Sequence, residues 1–315
     1  MATFTDTFER KEIKYRLNAG QHGAMLAAIE GRMADDEFGQ TRITSLYFDT
    51  PGHDLIARSL EKPLYKEKLR VRWYGRAQAN GRVFVELKKK YDGIVYKRRV
   101  GCTNAAAHAY LSRGVPFDRA CSCFPLENTA QQAESMTSQA LQISREIDAF
   151  IGRYERLRPS MFIVCERNAF APVPGGDADG LRITFDSNIA YRDVSRGGAA
   201  HSPYHPLLTR GEVIMEVKTS GAFPLWLVET LNDYECYPSS FSKYGAAYEA
   251  STKAMRNNAT QGLPAINDAT KTPRHAKPSS HRELTAAHDE QITARIRETA
   301  CKIAANQPTR WVAAR

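Results

Sequence analysis

The chain lacks any apolar run approaching the roughly 18 residues that a membrane-spanning helix needs. The apolar stretch 222–228 is short and is interrupted by Pro224. The segment 1–8 has neither a basic start nor an apolar core, so no signal peptide is predicted. From these absences we expect no integral membrane segment and a cytoplasmic location.

Cysteine is also scarce, and its six residues match neither the spacing of a metal site nor that of a disulfide framework. This favours a reducing compartment. Acidic residues are in the minority, since 44 Lys and Arg stand against 35 Asp and Glu, a net charge of +9. Such a surplus indicates an anionic partner (nucleic acid, a lipid surface or a phosphorylated molecule) or simply a cationic surface.

Aromatic residues almost vanish beyond Met255, where Asn, Thr, Ala, Lys and Pro accumulate. This change in composition predicts a folded domain over 1–256 and a mostly disordered tail over 257–315. Within the tail, 282–305 has the pattern of a short helix. The segment 104–139, biased towards Ser, Gln and Ala, is predicted to be an insertion in the folded domain.

Segments in which polar and apolar residues alternate dominate the folded domain, as expected of strands with two unlike faces. The predicted strands are 8–17, 40–49, 65–74, 82–90, 95–101, 160–171, 181–191 and 211–219. The predicted helices are 19–32, 143–158, 224–234 and 244–255.

Charged residues collect on one face of these strands, because side chains two apart point the same way. The pairs and triplets that share a face are Glu12 with Lys14, Lys68 with Arg70 and Arg72, Glu86 with Lys88, Arg182 with Asp186, and Glu216 with Lys218. A single such strand is typical of an ordinary sheet with one solvated face. Across five strands, however, the polar faces carry Lys, Arg and Glu and almost no Ser, Asn or Gln. The charged faces are therefore either open to water or enclosed in a barrel. Because enclosed cations are costly unless an anion joins them, a barrel would have to hold an anion, which triphosphate or a chain of phosphates would match.

Eight short motifs follow one another in order between residues 12 and 244. They are EIKY (12–15), SLYFDT (45–50), KLRVRWYG (68–75), FVELK (84–88), ERNAF (166–170), RITFD (182–186), MEVK (215–218) and FSKY (241–244). The set resembles the catalytic domain of the vacuolar transporter chaperone (VTC) family, the polyphosphate polymerase branch of the triphosphate tunnel metalloenzymes.

The resemblance implies an α+β fold, an antiparallel eight-stranded β tunnel barrel with a charged interior and flanking helices. It implies a polymerase that transfers the terminal phosphoryl of ATP to a growing polyphosphate chain, with ATP and polyphosphate as partners. The residues it assigns to phosphate are Lys14, Arg70, Arg72, Lys88, Arg167, Arg182, Lys218 and Lys243. Glu216 matches the family's metal-binding carboxylate, and the expected ion is Mn²⁺ or Mg²⁺.

Two positions depart from the family pattern. Cys165 stands where the family usually has a tyrosine, and Ser240 where it often has a basic residue. The first change is expected to loosen a hydroxyl contact with phosphate, and the second to weaken the grip at a tunnel mouth. Tyr47, Asp49 and Tyr74 are predicted to be structural.

Two other functions remain open at this point. A tunnel triphosphatase would hydrolyse inorganic or nucleoside triphosphate, but such enzymes begin with Glu-x-Glu-x-Lys, and Arg10 stands where the first glutamate should be. A non-catalytic polyphosphate-binding protein is the second alternative. Nucleic acid is not an expected partner, because Trp73, Tyr74 and Phe84 do not all share the charged face, as base stacking beside phosphate contacts would require.

Overall fold

The computed structural model describes residues 11–92, 94–195 and 202–261. Arg10 lies outside the described residues. So does the predicted 257–315 tail from residue 262 onwards, with its helix at 282–305, whereas 257–261 form the end of a helix and not disordered chain. Within the described ranges, no helix combines the length and the apolar character needed to cross a membrane.

Nine strands and eight helices are described. The strands are β1 (Lys11–Leu17), β2 (Met33–Asp49), β3 (Tyr65–Tyr74), β4 (Arg82–Tyr91), β5 (Ile94–Thr103), β6 (Arg158–Pro172), β7 (Leu181–Asp193), β8 (His205–Pro206) and β9 (Val213–Thr219). The helices are α1 (Ala19–Ile29), α2 (Asp54–Leu60), α3 (Asn104–Arg113), α4 (Phe117–Cys123), α5 (Thr129–Ser135), α6 (Ser138–Ile151), α7 (Leu225–Asp233) and α8 (Lys243–Gln261).

All the described strands form one antiparallel sheet in the order β1-β9-β7-β6-β2-β3-β4-β5, with β8 beside β7. The predicted α+β architecture, eight long antiparallel strands with flanking helices, is confirmed. The expectation of a closed barrel needs correction, because β1 and β5 are the two ends of the sheet and no ladder joins them in the described residues. A loop covers part of the free edge of β1 instead, where the Ser239 amide donates to the Lys14 carbonyl over 2.6 Å.

Two apolar clusters cover the outer face of the sheet. The first packs β3, β4 and β5 against α3, α4 and α6, with Leu87 and Phe150 both fully buried. The second packs β1, β7 and β9 against α1 and α7, around Leu17 and Met215. The segment predicted as an insertion, 104–139, thus forms α3, α4, α5 and the start of α6 on the outside of the sheet.

The opposite face of the sheet, here called the inner face, carries the charged residues and a third apolar cluster. This cluster joins Ile43, Ile163 and Ile214 of three strands to Tyr244 and Ala247 of α8. In the strand register Ile214 lies opposite Asp186, so the apolar cluster and the charges share one face. Helix α8 therefore fills one end of the inner channel, and the charges line the rest.

Side-chain caps explain where the helices begin. Asn18 and Gln21 form a reciprocal capping box at the start of α1, with N–H···O distances of 2.9 and 3.0 Å. Thr137 accepts from the Ala140 amide, which starts α6 at Ser138 instead of the predicted 143. The pattern used to predict that helix included only its second half, because Ser138–Gln142 carries few apolar residues.

Helix α2, which the sequence analysis missed, is anchored by a carboxylate outside the helix. Asp49 accepts hydrogen bonds from the amides of Leu55 and Ile56, at 2.9 and 3.1 Å. The Tyr244 hydroxyl donates to the same carboxylate over 2.8 Å and so ties α8 to the end of β2. Burial raises the pKa of Asp49, and these hydrogen bonds, which favour the ionised form, only partly offset the rise.

Replacing Asp49 with alanine is expected to lower the free energy of unfolding by about 3 kcal/mol, because several buried donors lose their acceptor at once. Urea denaturation of the two proteins measures the difference. Asp54→Ala is the matched control, since Asp54 is exposed and, among the residues described, its side chain bonds only to Thr50. An Asp49→Ala protein as stable as the control would contradict the anchoring role.

Candidate functional site

Glu216 of β9 lies at the centre of a group of cations on the inner face. Its carboxylate is 2.8 Å from Lys218 and 3.5 Å from Lys14, which lies directly opposite on β1. Arg167 of β6 approaches to 3.4 Å and Lys243 of α8 to 3.7 Å. The structure therefore brings five of the predicted site residues together, from four different elements. They are called the Glu216 cluster below.

A second carboxylate, Asp186 of β7, holds two of these cations in place. Arg167 donates to both of its oxygens, over 2.6 and 2.7 Å, and Lys243 forms an ion pair with it. Asp186 is fully buried. Burial alone would raise the pKa of Asp186, but Lys243 and Arg167 outweigh it and lower the pKa. Asp186 thus stays ionised and fixes the directions of the Arg167 and Lys243 side chains.

Glu216 also stays ionised in its buried position. Burial would raise its pKa, but the charges of Lys243, Lys218 and Lys14 hold the pKa well below the ordinary value. An ionised carboxylate with 7% of its surface exposed is a hard oxygen donor facing the channel.

The donor set fits a divalent cation that takes most of its ligands from elsewhere. Among the described residues, no group of three or more His, Cys, Asp and Glu side chains could hold a metal ion. Mg²⁺ commonly binds through one or two carboxylates and completes its shell with water and phosphate oxygens. Glu216 meets that requirement, and Glu12 lies close by, 3.3 Å from Lys14.

Arg70 of β3 is the centre of a second charged group. It donates to Glu86 over 2.7 Å and to the Tyr47 hydroxyl over 3.0 Å. Lys97 of β5 also contacts Glu86, over 2.7 Å. Tyr47, predicted to be structural, therefore forms part of the channel wall. Lys97 was missed because Lys97, Arg98 and Arg99 put charge on both faces of β5 and hide the alternation.

Several cations of the inner face have no ion-pair partner within the described ranges, among them Lys68, Arg72 and Lys88. Arg72 donates to the Ser45 hydroxyl over 3.1 Å, and Lys68 to the Ser242 hydroxyl over 3.2 Å. Lys68 and Lys88 are paired across β3 and β4. Burial, together with neighbouring lysines, lowers the pKa of Lys68 to about 8. The channel thus holds positive charge that the carboxylates of the protein do not neutralise.

Charges near the two ends of the sheet influence one another, although no ladder joins those ends in the described residues. Burial lowers the pKa of Lys88. The negative charge of Glu12 raises this pKa, and the positive charge of Lys14 lowers it further. Glu12 and Lys14 belong to β1, at one end of the sheet, whereas Lys88 belongs to β4, near the other end. Charges on β1 and β4 therefore act on one another across the inner face.

Arg182 is the predicted phosphate residue that the structure separates from the others. Its side chain is half exposed and forms a 2.6 Å ion pair with Asp36. In the β7–β9 register it lies opposite Lys218, two residues beyond Glu216, towards the end of the channel away from α8. The alternation of residues in the sequence places Arg182 on the inner face, as predicted. How far along the channel Arg182 lies follows only from the pairing of β7 with β9.

The two departures from the family pattern lie at different places. Cys165 is buried in the third apolar cluster, and burial raises the pKa of its thiol to about 11, so it is uncharged. Ser240 is exposed in the loop that leads into α8. Neither residue belongs to the Glu216 cluster.

Comparison with known proteins gives one family match and one curated relative. The VTC domain model matches residues 9–252. Vacuolar transporter chaperone complex subunit 4 from Trypanosoma brucei brucei is 24% identical over 277 residues, which cover 76% of this chain and 34% of that protein. The chain thus spans about a third of the length of the relative.

Solved structures resemble the chain only distantly. A proposed adenylate cyclase from Vibrio parahaemolyticus is 10% identical, with a TM-score of 0.37 over 75% of this chain and 96% of that one. A conserved hypothetical protein from Pyrococcus furiosus is 9% identical, with a TM-score of 0.30 over 71% and 87% of the two chains. Likeness at this level carries no argument about activity.

Proposed function

Because this chain belongs to the VTC domain family, we propose that it is an ATP-dependent polyphosphate polymerase. In this proposal it transfers the terminal phosphoryl of ATP to the end of a growing polyphosphate chain. The observation that supports it most directly is the channel wall, where Lys68, Arg72 and Lys88 have no carboxylate partner in the part of the chain that the structure describes. A condensed phosphate supplies the missing negative charge.

The cations have different roles in this proposal. The guanidinium groups of Arg70 and Arg72 present parallel N–H donors that match the spacing of phosphate oxygens. The lysines act as point charges, with Lys14, Lys218 and Lys243 around Glu216 and with Lys68 and Lys88 across the channel. Because phosphoryl transfer needs positioning and charge stabilisation above all, a fixed array of donors is suited to it.

A divalent cation, Mn²⁺ or Mg²⁺, would be held by Glu216, and when bound it would neutralise charge on the transferring phosphoryl group. The attacking group is the end of a polyphosphate chain, which is already anionic at neutral pH. No side chain therefore needs to remove a proton from it. The proposed location is the cytoplasm, which the free thiols of Cys102, Cys121, Cys165 and Cys236 support.

The proposal is tested by incubating the purified full-length chain with ATP and Mn²⁺. The expected products are ADP and long polyphosphate, with the phosphate in the polymer equal to the ADP formed. Free phosphate in place of polymer would instead identify a triphosphatase. Tight binding of polyphosphate without ADP formation would identify a binding protein. Either result would overturn the polymerase.

Phosphate binding is expected to draw protons from solution near pH 8. Burial would raise the pKa of Tyr47, but Arg70, Arg72 and Lys68 lower it to about 8, and the pKa of Lys68 is also about 8. An anion in the channel favours the protonated form of both groups, so both pKa values rise. Titration calorimetry with tripolyphosphate, in two buffers of different ionisation enthalpy, measures the uptake.

The uptake should be clear at pH 8 and nearly absent at pH 6, where both groups are already protonated. Tyr47→Phe is the matched variant, because it keeps the ring stacked on Tyr244 and removes one titrating group. Tyr47→Phe should take up fewer protons than the wild-type chain at pH 8. Because tripolyphosphate titrates alike in both experiments, an equal uptake by the two proteins would contradict anion binding beside Tyr47 and Lys68.

A further inference from the structure

A cavity of about 230 Å³ lies beside β5, where α5 and α6 meet the sheet. The residues of its lining that matter here are Arg82, Phe84, Arg99, Glu134 and Gln139. The Glu216 cluster and the Arg70 group described above have no member in it. The cavity combines an aromatic ring, two guanidinium groups and hydrogen-bonding side chains with the apolar walls contributed by Val100, Ala140 and Ile143.

Phe84 connects this cavity to the charged channel. In the strand register Phe84 lies between Arg72 on β3 and Gly101 on β5, and paired residues share a face. One strand spacing, about 5 Å, separates the backbone of Phe84 from that of Arg72. A ligand seated over Phe84 is therefore next to a cation that has no ion-pair partner among the described residues.

The cavity presents flat groups on which a planar ligand can stack. The guanidinium carbons of Arg99 and Arg82 lie 4.5 and 5.0 Å from the centre of the Phe84 ring. Glu134 holds Arg82 through a 2.5 Å contact, whereas no ion pair of the described residues includes Arg99. Gly101 leaves room for this arrangement, because a Cβ atom there would lie 3.1 Å from Arg82 Nε.

We propose that this cavity is the nucleoside subsite, in which the purine base of ATP stacks beside Arg99 and Phe84 while the triphosphate enters the channel past Arg72. The inference rests on the proposed function. A further phosphate group would find a donor in Arg99, but Arg82 is already paired with Glu134, and the walls of Val100, Ala140 and Ile143 suit a base better than a phosphate. A base instead stacks on aromatic and guanidinium planes, and its amine can donate to Glu134 or Gln139.

The test compares two ligands that differ by the nucleoside. Calorimetry of the full-length chain without a divalent cation, so that ATP is not turned over, measures the affinities for ATP and for inorganic tripolyphosphate. Arg99→Ala and Phe84→Leu are expected to weaken ATP binding about tenfold, since stacking on one base contributes that order of affinity. The affinity for tripolyphosphate should change no more than about twofold, because the channel keeps its own donors.

Arg98→Ala is the matched control. It removes the same charge from the neighbouring position of β5, but Arg98 faces away from the channel and pairs with Glu146 at 3.3 Å. It should leave both affinities unchanged.

The outcomes separate this subsite from the function itself. Unchanged ATP affinity in both variants, with normal tripolyphosphate binding, would overturn the subsite and leave the polymerase standing. Equal weakening of both ligands by Phe84→Leu would mean that the ring only supports the channel wall, which also overturns it. A wild-type chain that binds neither ligand would remove the proposed function, and the subsite with it.

Discussion

Glu216→Gln is expected to reduce polyphosphate synthesis by about 100-fold or more, because the amide keeps the shape of the side chain but binds a hard cation poorly. Glu216 is the carboxylate that Lys14, Arg167, Lys218 and Lys243 all approach within 4 Å. The readouts are ADP and polymer formed at saturating ATP and Mn²⁺, together with Mn²⁺ binding followed by electron paramagnetic resonance.

The same substitution should not weaken metal-free binding of tripolyphosphate, since it removes a negative charge from the channel. Retained affinity with lost turnover thus distinguishes a missing metal ligand from a misfolded chain. Glu212→Gln is the matched control, because Glu212 pairs with Arg16 over 2.8 Å and takes no part in the Glu216 cluster. Wild-type turnover and Mn²⁺ binding in Glu216→Gln would refute the metal assignment.

Arg72→Ala is expected to lower kcat/KM for ATP by about 100-fold, and Arg72→Lys by about tenfold, because lysine keeps the charge and loses the paired donors. Arg72 has only the Ser45 hydroxyl as a polar side-chain partner within the described residues, so its removal leaves no buried carboxylate behind. The loss should therefore appear in the kinetics and not in the thermal stability.

Arg70→Ala and Arg182→Ala are the variants with which Arg72→Ala is compared. Arg70→Ala should destabilise the fold by several kcal/mol, because it takes the guanidinium away from the fully buried Glu86. Arg182→Ala should change kcat/KM by less than about threefold, since Arg182 is half exposed and is already paired with Asp36. An Arg72→Ala enzyme no slower than Arg182→Ala would rule out the proposed phosphate contact at Arg72.

The alternation of residues was enough to place strand β3 and its charged face. Lys68, Arg70 and Arg72 alternate with large apolar residues, and only a strand buried on one side accounts for that period. The meeting of Lys14, Arg167, Glu216 and Lys243 could not be obtained in this way, because it depends on which strands are neighbours. The resemblance to a family supplied that information.

Other features of the structure have no local signal in the sequence. Helix α2 has only seven residues, and the carboxylate that anchors its first turn, Asp49, precedes it by five positions. The ion pair of Arg82 with Glu134 joins residues 52 positions apart and contributes to a cavity that no motif marks. Whether the sheet closes depends on contacts between β1 and β5, the strands at its two ends. Local sequence patterns do not encode contacts between such distant strands.

The open side of the sheet has a consequence for how a polymer reaches the channel. Hydrogen-bonded strands must be pulled apart bond by bond, but between β1 and β5 no such bonds exist in the described residues. Side-chain charges such as Glu12 and Lys88 act across this gap, and salt weakens interactions of that kind. Parting the wall at this line is thus the least costly way to widen it. In the proposed polymerase, a long product would therefore have a sideways exit from the channel and need not be drawn out end first.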